Sequence, residues 1–187
     1  MLYLIRHGRT DWNDEHRLQG RTDVPLNDNG RKMAEDAHDR YADVHFDVCY
    51  CSPLIRARET AEILLKDRDV PIIPDDRLKE MCFGIYEGES NSFEKPGCEI
   101  KVLFKDPAAY DFEIEGAESW DDLFSRTGEF LKEVVNPLLK QGKDVLVVGH
   151  GAMNSCLTCQ ILRLPISEFW SHGIENCVLK EFDYIPD

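Results

Sequence analysis

The chain alternates between two kinds of patterning. Short continuous apolar runs, Leu2 to Ile5, Phe46 to Cys51 and Asp144 to Val148, have strand length and read as strands buried on both faces. Stretches of helical period lie between them. The first predicted helix covers about Gly30 to Tyr41, with Met33, Ala34 and Ala37 on one side and N-cap side chains offered by Asn27 to Gly30. The second takes Ser52 as N-cap and Pro53 as its first residue, and continues through Thr60, Ala61, Ile63, Leu64 and Leu65. Ser119-Trp120-Asp121-Asp122 resembles a capping box and opens a long amphipathic helix striped by Leu123, Phe124, Thr127, Phe130, Leu131, Val134 and Val135. Pro137 and Gly142 mark its end. Ala152 to Leu162 is a further helix, Leu164 to Trp170 a short turn-helix, Val70 to Pro74 a short strand, and Asn176 to Tyr184 a last strand of period two. His16 to Leu26 has neither period and reads as an ordered loop around Gly20 and Pro25. Residues 84–118, rich in Gly, Glu, Pro and aromatics, read as a lid-like insertion with one short helix near Cys98 to Phe104, within a single domain of residues 1–187.

Composition narrows the classes. Apolar content of 42% and charged content of 31% describe a chain able to bury a sizeable core. The net charge of −14 argues against nucleic acid and anionic membrane as partners, because both require a basic face. An anionic substrate would need a local arginine cluster working against that field. No apolar run approaches the ~20 residues of a membrane span, and Met1 leads straight into a strand without a signal-like segment. Seven cysteines, an odd number scattered through apolar segments, suggest reduced thiols in a cytoplasmic protein. Cys156 and Cys159 read as core residues, since no second Cys/His pair matches their spacing for a metal.

Candidate chemistry sits where strands end. The first strand gives way to Arg6-His7-Gly8 and the 144–148 strand to Gly149-His150-Gly151. In open α/β sheets the ligand crevice lies outside such ends. Imidazole is a nucleophile or base near neutral pH, and guanidinium grips phosphate or carboxylate oxygens. On the first triplet alone, a solvated His-Arg pair fits as well as a site. The repeated strand–His–Gly unit tips the balance. Arg56, in the first turn after the second strand, reaches the same edge if the strands are parallel. Glu80 precedes the apolar Met81-Cys82-Phe83; partial desolvation there would suit a general acid, and a solvated glutamate at a loop edge is the simpler reading of that residue by itself. His38, His45 and His172 are expected to be solvated. Arg6, His7, Arg56, Glu80 and His150 together would form a cationic cup for a phosphoryl group, with a nucleophile and an acid beside it.

These residues carry a resemblance. Leu4-Ile5-Arg6-His7-Gly8, Thr10 with Asn13, Leu18 to Leu26, Ser52-Pro53-Leu54 with Arg56-Ala57 and Thr60-Ala61, Leu78 with Glu80, Gly84 with Glu87-Gly88, and Val148-Gly149-His150-Gly151 occur in order over most of the chain. The chain resembles the histidine phosphatase superfamily in its phosphoglycerate-mutase-like branch. The resemblance implies an α/β fold with a mostly parallel central sheet flanked by helices on both faces. It implies His7 as the phosphorylated nucleophile, Glu80 as proton donor, and Arg6, Arg56 and His150 around the phosphoryl oxygens. Asn13, Gln19, Gly20 and Gly151 would contact substrate. It implies a small phosphorylated substrate, no cofactor and no metal.

The sequence departs from the mutases of that branch. Met81-Cys82-Phe83 replaces their polar run after the proton donor, and residues 84–118 carry no Arg-Arg cluster. The expectation is therefore a metal-independent phosphatase acting on small phosphomonoesters. A bisphosphoglycerate-dependent phosphoglycerate mutase is the alternative, and a non-catalytic phosphate-binding module the second, disfavoured by a proton donor that pure binding would not need. A zinc hydrolase is a poor match because His7 and His150 lack paired spacing and carboxylate ligands.

Overall fold

A computed structural model describes residues 1–90, 96–111 and 113–184. Its elements in chain order are β1 (Leu2–Arg6), α1 (Asp11–Asp14), α2 (Asp28–Arg40), β2 (Val48–Cys51), α3 (Ile55–Leu64), β3 (Ile72–Pro74), α4 (Ile100–Lys105), α5 (Trp120–Phe130), α6 (Asn136–Lys140), β4 (Val145–Gly149), α7 (Gly151–Leu162) and β5 (Leu179–Phe182). The strands form one sheet in the order β3-β2-β4-β1-β5, parallel throughout except for antiparallel β5 at one edge.

Strand period explains the layers. Leu2, Leu4, Val145 and Val147 point to one face and pack with Phe130, Val135, Met153 and Leu157. Tyr3, Ile5, Leu146, Val148, Cys49 and Cys51 point to the other, against Ala34, Ala37, Ala57, Ala61 and Leu64 of α2 and α3. Helices therefore cover both faces, and β1 and β4 read as continuous apolar runs because neither face meets water. A third cluster joins Met81, Phe83, Ile100, Leu103, Phe169 and Ala152 beside the site. Through it α4, from the 84–118 stretch, packs against the start of α7.

Several boundaries differ from the sequence expectation. The third helix does not begin at Ser52-Pro53. It starts at Ile55 with Leu54 as N-cap, and the Ile55 N–H is satisfied by Asp23 Oδ1 (2.7 Å) from a distant loop. Ser52 Oγ instead accepts the Leu54 N–H, closing a local turn. Short α1, capped by Thr10, follows the Arg6-His7-Gly8 triplet. The long helix does not stop at Pro137. A π-type turn over Leu131–Val135 widens the helix so that Pro137 fits the first turn of α6 without an interior amide being lost. All seven cysteines are free thiols, and Cys156 lies buried against Thr127. His45 is exposed, but His38 is half-buried with Nδ1 3.0 Å from the Leu64 carbonyl, and His172 is also half-buried. Among the described residues no helix is long and apolar enough to cross a membrane.

Candidate active site

Sheet register brings the two histidines together. β1 and β4 pair in parallel with Arg6 opposite Gly149, and the His7 N–H extends the ladder to the Gly149 carbonyl (3.0 Å). His7 and His150 thus leave neighbouring strands at the same end, with ring centroids 5.1 Å apart. Gly8 is needed for close approach. A Cβ there would lie 2.4 Å from the Gly30 carbonyl oxygen at the start of α2, and the Gly8 N–H donates to Thr60 Oγ1 (3.0 Å).

His7 is oriented as well as placed. Its Nδ1 lies 2.6 Å from the Gly8 carbonyl oxygen, which can only accept, so Nδ1 holds the proton and Nε2 the lone pair. The ring is 2% exposed. Burial, then Arg56 and Arg6, push its pKa well below the ordinary histidine value, against the pull of the Gly8 bond. His150 is fully buried, neither ring nitrogen has a protein partner, and its pKa is likewise held well below normal by burial, Arg56, His7, Arg6 and Arg126. Two neutral rings therefore stand side by side between arginines.

Arg56 is locked from behind. Its Nη1 donates to the Thr22 carbonyl (2.9 Å) and its Nη2 to the Gly20 carbonyl (2.7 Å), while Nε is buried without a partner. Burial lowers its pKa to about 10, so it stays cationic at neutral pH. Arg6 Nε is also buried and unpartnered, and burial lowers that guanidinium's pKa too. The loop that holds Arg56 hangs on Glu87, whose carboxylate accepts the Arg21 N–H, the Thr22 N–H and the Thr22 hydroxyl. Gly20 sits at φ +54°, and a Cβ there would be 2.0 Å from Glu87 Oε1. Only glycine satisfies both the backbone and the contact.

Glu80 is 8% exposed, well inside the desolvated limit of the sequence expectation. Its carboxylate accepts three amides: Met81 (2.9 Å), Met153 (2.9 Å) and Ala152 (3.2 Å). The last two belong to the first turn of α7, whose own N-cap residue, His150, makes no side-chain capping bond. Glu80 is thus the cap of α7, supplied from another segment. Its carbonyl is held by Arg126, which also forms a two-pronged ion pair with buried Glu118.

A cavity of about 270 Å³ opens between these groups, lined at its floor by Arg6, His7, Arg56, Glu80 and Gly151. Asn13, Gln19 and Gly20 form one wall. Asn13 Oδ1 accepts the Thr10 N–H and Gln19 Oε1 accepts the Thr10 hydroxyl, which leaves their NH₂ ends for the cavity. All nine residues expected from the sequence come together here, His150 lying behind His7. Sequence reasoning missed the outer wall, Trp12, Arg17, Phe83, Phe104 and Trp170, and the supports Glu118 and Arg126. Glu87 was visible only as part of a motif, without a role.

A parallel sheet that delivers two neutral histidines and two arginines to one edge, beside a buried carboxylate, defines an α/β protein of the phosphoglycerate-mutase-like type. The family model described as "Histidine phosphatase superfamily (branch 1)" matches residues 2–187, and the chain belongs to that family. It is 35% identical to a probable 2-carboxy-D-arabinitol-1-phosphatase of Arabidopsis thaliana over 99% of this chain, and it spans only 38% of that relative's length. It is 32% identical to a probable phosphoglycerate mutase GpmB of Salmonella choleraesuis, covering 98% of this chain and 84% of that protein. The solved structure of Bacillus stearothermophilus YhfR superposes with a TM-score of 0.84 at 31% identity, over 95% of this chain and 88% of that one.

Proposed function

We propose that this chain is a phosphatase that hydrolyses small phosphomonoesters through a phosphohistidine on His7, with Glu80 as proton donor. The observation that carries the reading is His7 itself: buried, neutral, its Nδ1 pinned to the Gly8 carbonyl and its Nε2 open beside two guanidinium groups. Arg6 and Arg56 hold the phosphoryl oxygens, with Asn13 and Gln19 adding donors from the wall. Charge on those oxygens in the transition state is stabilised by cations fixed beforehand. Nε2 attacks phosphorus in line, a P–N bond forms, and the ester P–O bond breaks. The departing alkoxide takes a proton from the Glu80 carboxyl group. Water then gives a proton back to the Glu80 carboxylate and attacks the phosphohistidine. The P–N bond breaks, its electron pair returns to Nε2, and inorganic phosphate leaves. His150, neutral and against His7, packs the nucleophile from behind.

The mutase named among the relatives bears on the acceptor. A bisphosphate intermediate would need a second phosphate site, and the one further arginine lining the described cavity, Arg17, is already paired with Glu15 (3.0 Å) and bonded to the Gly88 carbonyl. Water is the acceptor in this reading. Incubation with ³²P-labelled phosphomonoester followed by alkaline denaturation, which spares P–N bonds, should leave label on His7. His7→Ala should lose both label and phosphate release. Substantial phosphate release by His7→Ala would overturn the nucleophile assignment, and bisphosphoglycerate-stimulated isomerisation exceeding hydrolysis would assign the chain to the mutases.

A further inference from the structure

The floor of the cavity is charged but its outer wall is aromatic. Trp12, Phe83, Phe104 and Trp170 line it together with Leu18. Phe104 and Trp170 are stacked, with centroids 5.2 Å apart and planes 21° off parallel, and Phe83 lies 5.9 Å from Phe104. Trp170 is fixed by its indole N–H, which donates to the Leu103 carbonyl (2.8 Å). Trp12 is held by the Arg17 guanidinium 4.6 Å over its ring. These are anchored surfaces, not side chains free to fold away.

Among the described residues, the basic side chains on the wall are Arg17 and His16. Arg17 already stacks on Trp12, pairs with Glu15 and donates to the Gly88 carbonyl, so a carboxylate in the leaving group would have to compete for it. Arg6 and Arg56 lie at the phosphoryl floor. The net charge of −14 opposes a further negative group. At about 270 Å³ the cavity falls just under the range for drug-sized ligands, which leaves room beyond a phosphoryl group for one or two fused rings.

We infer that the alcohol carried by the phosphoryl group is a flat, apolar ring system, seated against Phe104, Trp170 and Trp12, in preference to a carboxylate-bearing chain. This rests on the phosphatase reading for its reaction, but its binding half can be measured separately. Ring faces prefer offset or edge contact with other rings, and each such pair adds to the apolar area it buries. Discrimination comes from the other direction as well, because a carboxylate seated against these rings would lose water without gaining a cation from them.

Dissociation constants of phosphonates, measured by titration calorimetry, test this without any turnover. Methylphosphonate, benzylphosphonate, 1-naphthylmethylphosphonate and 3-phosphonopropionate share one headgroup. The naphthyl compound should bind at least about tenfold more tightly than methylphosphonate, and 3-phosphonopropionate no more tightly than methylphosphonate. Phe104→Leu keeps the apolar volume and removes the ring; it should raise the naphthyl constant about fivefold more than the methyl constant, the size of one aromatic pair. Benzyl and ethyl phosphate, both esters of unactivated alcohols, give the catalytic counterpart, with the lower KM expected for benzyl phosphate. Equal constants across the series, no binding of the ring phosphonates, or tightest binding of 3-phosphonopropionate that is lost in Arg17→Met would each overturn the inference. Ring-selective binding with no phosphate released from either ester would instead refute the phosphatase reading while leaving the ring site standing.

Discussion

The two site histidines should make the fold acid-sensitive, and the size of the effect follows from their burial. Both rings are held neutral, His7 at 2% and His150 at 0% exposure, with pKa values well below the 6.5 of an exposed ring. In the unfolded chain each titrates near 6.5. The sign follows from linkage: above pH 6.5 neither state binds the protons, and the term vanishes. Below it only the unfolded chain takes them up, so stability falls as pH falls, until the folded rings themselves protonate. Between about pH 7.5 and about pH 5.5 each ring can cost at most about 1.4 kcal/mol, and the pair about 2.7 kcal/mol. Other groups titrate over the same range, so the decisive quantity is a difference. Urea unfolding of the wild type and of His150→Gln at both pH values should show the variant losing about 1.4 kcal/mol less than the wild type. Parallel losses would mean that His150 is not held neutral and that the electrostatic picture of the site is wrong. The same neutrality should keep kcat/KM from falling until the pH is well under 6.5.

Glu80→Gln removes the transferable proton, so turnover of alkyl phosphates should fall by about a hundredfold or more, and that of p-nitrophenyl phosphate much less, because its leaving group needs little protonation; equal losses would place the acid elsewhere. Gly8→Ala drives a Cβ to within 2.4 Å of the Gly30 carbonyl oxygen and should destabilise the fold by about 1–3 kcal/mol, read as a lower urea midpoint. Phosphate release should survive prolonged dialysis against EDTA unchanged, and loss reversed by a divalent cation would call for a metal in the mechanism. A thiol reagent on the native protein should modify Cys82 and Cys98 first, since these two are half-buried whereas Cys49, Cys51, Cys156, Cys159 and Cys177 are buried; burial raises the pKa of those five and of Cys82 as well. Rapid labelling of all seven would contradict the core assignment.

The floor of the site was legible because its signals are local. A continuous apolar run followed by Arg6-His7-Gly8, repeated as Val148-Gly149-His150-Gly151, specifies both a buried parallel strand and what stands at its end. The start of α3 was not legible, because the partner of its first free amide is Asp23, more than thirty residues away. Glu80 followed the same logic: its neighbours announced an apolar setting, but its bonds to α7 depend on tertiary contact. The aromatic wall was hidden for another reason. Trp12, Phe83, Phe104 and Trp170 come from four separate segments, and each alone is an ordinary half-buried or buried ring. Gly8 is visible in the sequence only as the end of the first motif; that its smallness is required by the backbone of α2 depends on tertiary contact.

Glu80 has a consequence for how turnover could be watched. Its carboxylate is hydrogen-bonded to the amides of Ala152 and Met153 at the head of α7. In the proposed cycle the proton leaves that carboxyl group once and returns once. The two amides sit on the oxygens whose charge is changing, so their electronic environment must change with it. Backbone ¹H–¹⁵N resonances of residues 152 and 153 would then act as an internal indicator of the acid's protonation, with no label placed in the active site. The shift should travel with occupancy of His7 by a phosphoryl group or its mimic. Amides further along α7, past the reach of the carboxylate, would serve as the silent reference.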